Sequence, residues 1–151
     1  MPKDGDKALL TLQLPHRPAA ASAARKALSS LNGTLHLIST SRLRDAQLVL
    51  TEVVANAVRH GGRRGEPIAL TVRATLDVIR IEVSDDGDGF DAALAEKAPE
   101  ADQGGGWGLP IVAALAHRWG VDRDDSTTVW FEIDRPQREE PVQADSSPPE
   151  L

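Results

Sequence analysis

Apolar and polar positions alternate along this chain with two different periods, and each change of period marks an element. From Ala8 the run ALLTLQLP sets Ala8, Leu10, Leu12 and Leu14 on one side, a strand closed by Pro15. Pro18 to Leu31 is Ala-rich and reads as a helix, with Pro18 near its start and Asn32-Gly33 as its stop. Leu43 to His60 follows at about 100° per residue, with Ser39, Thr40 or Ser41 able to cap it and Gly61-Gly62 to end it. Ile68, Leu70, Val72 and Ala74 then alternate, as do Ile79, Ile81 and Val83, with Leu76-Asp77 near the turn of an antiparallel hairpin. A polar stretch from Asp91 to Gln103, with a short helical piece at Ala92 to Lys97, leads through Gly104 to Gly108 into LPIVAALAHRW. That last segment predicts a helix with Pro110 early and Gly120 after its end. Thr128 to Ile133 predicts a strand with Val129, Phe131 and Ile133 inward. The expected organisation is a flexible segment at 1–7, one domain at 8–134 and a disordered tail at 135–151. Strand, helix, helix, hairpin, loop, helix, strand implies an α/β (α+β) two-layer sandwich, a mixed, mostly antiparallel sheet with about three helices on one face.

Composition narrows the chemistry. The chain has 151 residues, enough for one domain with a real core, and is 40% hydrophobic and 26% charged. With three Trp, two Phe and no Tyr, that core must be mostly Leu, Ile, Val and Ala. A net charge of −6 argues against a general nucleic-acid or anionic-membrane binder. No cysteine is present, which excludes disulfides, thiolate nucleophiles and Cys-ligated metal sites. The first ten residues lack the apolar run of a signal peptide and no stretch approaches about 20 apolar residues, so a soluble cytoplasmic protein is expected.

Three segments carry candidate chemistry. On the Leu43–His60 helix, Leu43, Ala46, Leu50, Val53, Val54 and Ala57 form one face, while Asp45, Glu52, Asn56 and Arg59 form a narrow stripe with His60 at its edge. Glu52 and Asn56 point the same way one turn apart, which makes half of a polar site if something covers it and a solvated face if nothing does. The hairpin's second strand runs into Ser84-Asp85-Asp86-Gly87-Asp88-Gly89-Phe90, which serves either as a simple hairpin exit or as a close backbone approach. It fails as an EF-hand loop, because Phe90 falls at the fifth position counted from Asp86. Gly87 to Ala92 fits the weak G-x-G-x-x-A pattern, but Asp88 would face a pyrophosphate and no βαβ unit surrounds it. The Gly104-Gly105-Gly106-Trp107-Gly108 run lacks the Lys-Ser/Thr of a P-loop, yet joins flexible glycines to a helix start. A flexible linker explains it equally well.

Together the segments have one order and spacing: Glu52-x-x-x-Asn56-Ala57, Asp85-x-Gly87-x-Gly89, Gly106-x-Gly108-Leu109 and Thr127-Thr128-Val129. This resembles the Bergerat-fold ATPases, which include the ATPase domains of gyrase, the ninety-kilodalton chaperones, mismatch-repair ATPases and histidine kinases. The match spans about Leu43 to Ile133. Asn56-Ala57-Val58-Arg59-His60-Gly61 and Thr128-Val129-Trp130-Phe131-Glu132 are most similar to the stand-alone anti-sigma-factor serine kinases. His16 and His36 have no phosphoacceptor context.

The resemblance implies ATP and Mg²⁺ as cofactors and a role for each matching residue. Asn56 would ligate Mg²⁺, and Glu52 would be the general base for a hydroxyl. Asp85 would accept the adenine amino proton, Gly87 and Gly89 would let the chain pass close to the base, and Thr127 (or Thr128) would complete the surrounding water network. Ser126 stands where a glycine is usual. Phe90 to Trp107 would be a lid, with Gly106, Gly108 and the N–H groups opening the Leu109 helix on the phosphates. Lys97 and Arg59 are the candidate phosphate cations. His60 fits packing better than catalysis, and Trp119 and Trp130 read as structural. The implied function is transfer of the γ-phosphate to a serine or threonine of an antagonist protein, with control of a sigma factor by binding and a possible homodimer. The alternatives are an ATP-ordered interaction module without turnover and a histidine-kinase-type domain acting in trans.

Overall fold

The computed structural model describes residues 7–60, 66–85 and 109–136. Its elements are β1 (Ala8–Leu14), α1 (Ala19–Leu35), α2 (Thr40–His60), β2 (Ile68–Ala74), β3 (Val78–Asp85), α3 (Leu109–Leu115), β4 (Arg118–Arg123) and β5 (Thr127–Asp134). The strands form one sheet in the order β1-β2-β3-β5-β4, and every pairing among them is antiparallel. The expected mixed, mostly antiparallel sheet is therefore wholly antiparallel among the described residues. Residues 1–6 and 137–151, the Gly61-Gly62 stop and the Ala92–Lys97 piece lie outside those residues.

Strand register lines up the inward side chains in rows. Leu10, Val72, Ile81, Phe131 and Trp119 are successive cross-strand partners, as are Leu12, Leu70, Val83, Val129 and Val121. Phe131, Leu70, Val72, Ile79 and Ile81 are wholly buried. Burying each such side chain contributes roughly 1.5–3 kcal/mol, so these rows supply most of the force holding the layers together. The helices cover this face. α2 packs on β3, β5, α1 and α3, and its own apolar stripe of Ala46, Val49, Leu50, Val53, Val54 and Ala57 is buried. In β1 the alternation slips: a bulge between Ala8 and Leu10 leaves Ala8 exposed rather than in line with Leu10, Leu12 and Leu14.

Both helix ends expected from the sequence moved. α1 continues through Asn32-Gly33 to Leu35 and stops at His36, whose φ of 51° and ψ of 49° place it in the left-handed region. Tertiary hydrogen bonds explain the extension. The buried Asn32 amide donates from Nδ2 to the Ile38 carbonyl at 3.0 Å and accepts the Ile38 N–H on Oδ1 at 2.9 Å. Keeping residue 32 helical aims its side chain at the α1–α2 connection, where both backbone groups would otherwise lack partners. Of the three capping candidates for α2, Ser39 takes the position: its Oγ accepts the Arg42 N–H at 3.1 Å.

The helix expected through Trp119 ends at Leu115, and Arg118–Arg123 is the edge strand β4. Pairing with β5 decides this, since Trp119 faces Phe131 in the core while Arg118 lies opposite Glu132 and bonds it at 2.7 Å. Gly120 is not a helix stop. A Cβ there would lie 2.7 Å from Trp130 Cζ2, so the glycine lets the indole lie across β4. Arg80 lies over that ring, 4.1 Å from its centroid, and bonds Glu82 and Glu132 at 2.8 and 3.2 Å. The outward sheet face is thus a polar and ionic layer. Arg135, where a tail was expected to begin, is anchored: its N–H bonds Asp77 O, and its guanidinium bonds Leu37 O and Thr75 O.

Candidate functional site

The alternation of β3 runs Ile79, Ile81, Val83, Asp85 on the helix side, and all four are buried. β5 begins the same way, with Thr127, Val129, Phe131 and Ile133 inward. The register pairs Asp85 with Thr127, so the last inward row replaces apolar side chains with a carboxylate and a hydroxyl, 7% and 2% exposed. Register also separates the two candidate threonines: Thr128 points outward and shares a 2.7 Å hydrogen bond with Ser84 Oγ. A cavity of about 190 Å³ opens at this end of the sheet, lined by Gln13, Glu66, Pro67, Ala69, Ser84, Asp85 and Ser126. Gln13, Ala69 and Ser84 are neighbours on the outward face, so this hollow lies across the sheet from α2.

Two hydrogen bonds fix the direction in which α2 crosses the sheet. At its start, Arg42 Nη1 donates to Asp134 O at 2.6 Å, at the Val78–Asp134 end of β3 and β5. At its finish, His16 Nε2 donates to Val58 O at 3.1 Å. His16 follows directly on β1, whose Leu14 pairs with Ile68 beside the Asp85 end of the sheet. Glu52 and Asn56, in the last turns of α2, therefore lie towards the same end as Asp85 and Thr127. Val58 O lies within the last four carbonyls of the helix, which no intrahelical N–H satisfies, so His16 acts as a tertiary cap. Since a carbonyl only accepts, Nε2 carries the proton; Nδ1 is buried without a partner among the described residues. Neither His16 nor Arg42 stood out in the sequence, because a lone His after a proline and an Arg in a helix's first turn form no pattern.

Within α2 the polar stripe is not a wet face at its centre. Asn56 is 2% exposed, Glu52 is half-buried, and Arg59 and His60 are exposed. Arg59 donates from Nη2 to Asn56 Oδ1 at 3.1 Å. Among the described residues no group of three or more His, Cys, Asp or Glu could hold a metal. A hard cation here would have to be held chiefly by phosphates and water, with the Asn56 amide oxygen as the protein's ligand. In this structure Oδ1 accepts from a positively charged group. Leu109 opens α3, which packs on α2. Gly87, Gly89, Lys97, Gly106 and Gly108 lie outside the described residues.

The chain belongs to the histidine kinase-like ATPase domain family, matching it over residues 14–133. ATP is accordingly the nucleotide of the family. Among curated proteins it is similar to the serine-protein kinase RsbW of Listeria monocytogenes serovar 1/2a, 31% identical over 84 residues, which are 54% of this chain and 53% of that protein. The chain thus spans about half the length of the curated relative it matches. Two solved structures share the fold. One is that of the SiaB–SiaC complex from Pseudomonas aeruginosa, with a TM-score of 0.56 and 14% identity over 85% of this chain and 91% of that one. The other is the histidine kinase domain of the Erythrobacter litoralis EL346 blue-light activated histidine kinase, with a TM-score of 0.50 and 21% identity over 86% and 70%. No helix among the described residues is long and apolar enough to cross a membrane.

Proposed function

We propose that this protein is an ATP-dependent serine/threonine protein kinase of the anti-sigma-factor type, a cytoplasmic transcription regulator that phosphorylates an antagonist protein and binds a sigma factor. One observation carries the reading: a half-buried carboxylate and a buried carboxamide one turn apart on α2 lie at the same end of the sheet as the buried Asp85–Thr127 pair. That arrangement has an acceptor for the adenine amine at one side and oxygen chemistry for phosphates at the other. The similarity to a serine-protein kinase points the same way.

In this reading Asp85 and Thr127 hold the base, and Gly87 and Gly89 let the chain pass close to it. Lys97, Gly106, Gly108 and Leu109 belong to the phosphate side. Asn56 Oδ1 would hold Mg²⁺, which when bound neutralises phosphate charge. Glu52 takes the proton of the acceptor hydroxyl as its oxygen bonds to the γ-phosphorus and the bond to the β-phosphate oxygen breaks, leaving ADP. The acceptor is a serine or threonine of a separate protein.

The deciding experiment incubates the protein with γ-labelled ATP and the small proteins encoded near its gene, and compares Glu52→Ala. Loss of acid-stable phosphate transfer with ADP affinity retained supports the kinase. Transfer from neither protein, with partner binding still nucleotide-dependent, assigns a non-catalytic interaction module. Acid-labile phosphate on the acceptor assigns a histidine kinase acting in trans. Sedimentation with and without nucleotide tests whether the kinase is a homodimer.

A further inference from the structure

The i to i+3 bond between Asn56 and Arg59 puts a guanidinium on the one oxygen to which the proposed function assigns a metal. Both residues are on α2, three positions apart and on adjacent turns of one face, so the contact is built into the helix and needs no other element. Asn56 is buried, whereas Arg59 is exposed and has solvent to move into. A magnesium ion takes oxygen at about 2.1 Å. Seated on Oδ1, it would share that atom with a positive group whose nitrogen is 3.1 Å away. Two cations on one buried oxygen repel each other, so the guanidinium must leave when the metal arrives.

We infer that Arg59 is a metal gate: in the metal-free site its guanidinium holds Asn56 Oδ1, and Mg²⁺ brought by nucleotide must displace it. The inference rests on the nucleotide reading of this site and adds its regulation. This is a different task from the phosphate contact that the family resemblance implies for Arg59. A phosphate clamp strengthens binding of metal–nucleotide; a gate weakens it, keeping the site closed to metal until nucleotide supplies the remaining ligands.

Opposite signs make the test simple. ADP binding is measured by calorimetry, in saturating Mg²⁺ and in EDTA, for the full chain and for Arg59→Met, which keeps the stem and removes charge and donors. The gate predicts that Arg59→Met binds ADP in Mg²⁺ about threefold tighter or more, the scale of one lost hydrogen bond, and gains nothing in EDTA. The gain vanishes in an Asn56→Ala background, because the contested oxygen is gone. Mn²⁺ in place of Mg²⁺, followed by electron paramagnetic resonance, reports the same tightening at the metal itself. Unchanged or weaker binding of ADP in Mg²⁺ overturns the gate, as does an equal gain in EDTA or one that survives Asn56→Ala. Absence of ADP binding by the unaltered chain in both conditions overturns the nucleotide reading itself, an outcome distinct from any of these.

Discussion

Asp85 and Asn56 are both buried polar residues, which the sequence singled out by the family pattern without showing their burial. Asp85 continues the inward alternation Ile79, Ile81, Val83, so the same period that builds the core forces a carboxylate into it. Asn56 lies one turn beyond Glu52, on a polar stripe that the helical wheel alone left either covered or solvated. Its 2% exposure comes from the packing around α2. Asp85→Asn keeps the shape while replacing one acceptor oxygen with a donor. We expect ADP affinity to fall about tenfold or more, the scale of a hydrogen bond to a charged group, with little change in melting temperature. Equal affinity in calorimetry would remove Asp85 from the base pocket. His16 was invisible as a residue of interest, since its role depends on a carbonyl 42 positions away. His16→Ala should cost about 1 kcal/mol and speed amide exchange in the last turn of α2, read by hydrogen–deuterium exchange.

At the scale of elements, periodicity located α2, β2, β3 and β5 but misjudged two boundaries. Asn32-Gly33 has the composition of a helix stop, yet Asn32 serves the chain better as a helical residue bonding Ile38 on both sides. Asn32→Ala leaves the Ile38 N–H and carbonyl without their side-chain partner, and should destabilise by about 2–6 kcal/mol in urea denaturation, at a penalty of about 1–3 for each group. The α3–β4 boundary was missed because HRWGV reads as a helix end with a glycine cap, while its cross-strand partners lie in a segment further on. Gly120→Val, with a new Cβ 2.7 Å from the indole, should cost about 1–3 kcal/mol, measured by thermal melting.

The whole molecule is a helical layer on an antiparallel sheet whose inner rows are apolar until the Asp85–Thr127 row. Phe131 lies between Ile81 and Trp119 in a five-residue inner row and is wholly buried, so Phe131→Ala should cost about 3–5 kcal/mol in denaturant unfolding. Acid should act at the opposite sheet end from the site. The Asp134 carboxyl bonds the Arg118 guanidinium, which holds its pKa below the ordinary carboxylate value. A lowered folded-state pKa means the pair stabilises the fold above about pH 4, where the unfolded carboxylate is ionised, and that this stabilisation is lost as pH falls through the folded value. The pair is 47% and 43% exposed, so solvent screens it and the effect is small. Asp134→Asn should remove it, seen as a smaller stability loss between pH 5 and about pH 3 in matched melts.

The sequence by itself determined the alternating strands, the amphipathic α2 and the family pattern joining Glu52, Asn56, Asp85 and the glycine runs. These are local periods and spacings, and a chain carries them without reference to its fold. Tertiary structure alone decided the end of α1, the existence of β4, the choice of Thr127 over Thr128 for the inner row, and the direction of α2. Each of those depends on partners distant in sequence: Ile38 for Asn32, β5 for β4, β3 for Thr127, and Asp134 and His16 for the two ends of α2. The Arg59–Asn56 bond stands between the two. Its spacing was written in the helix, but the burial that makes the oxygen worth contesting came only with the fold.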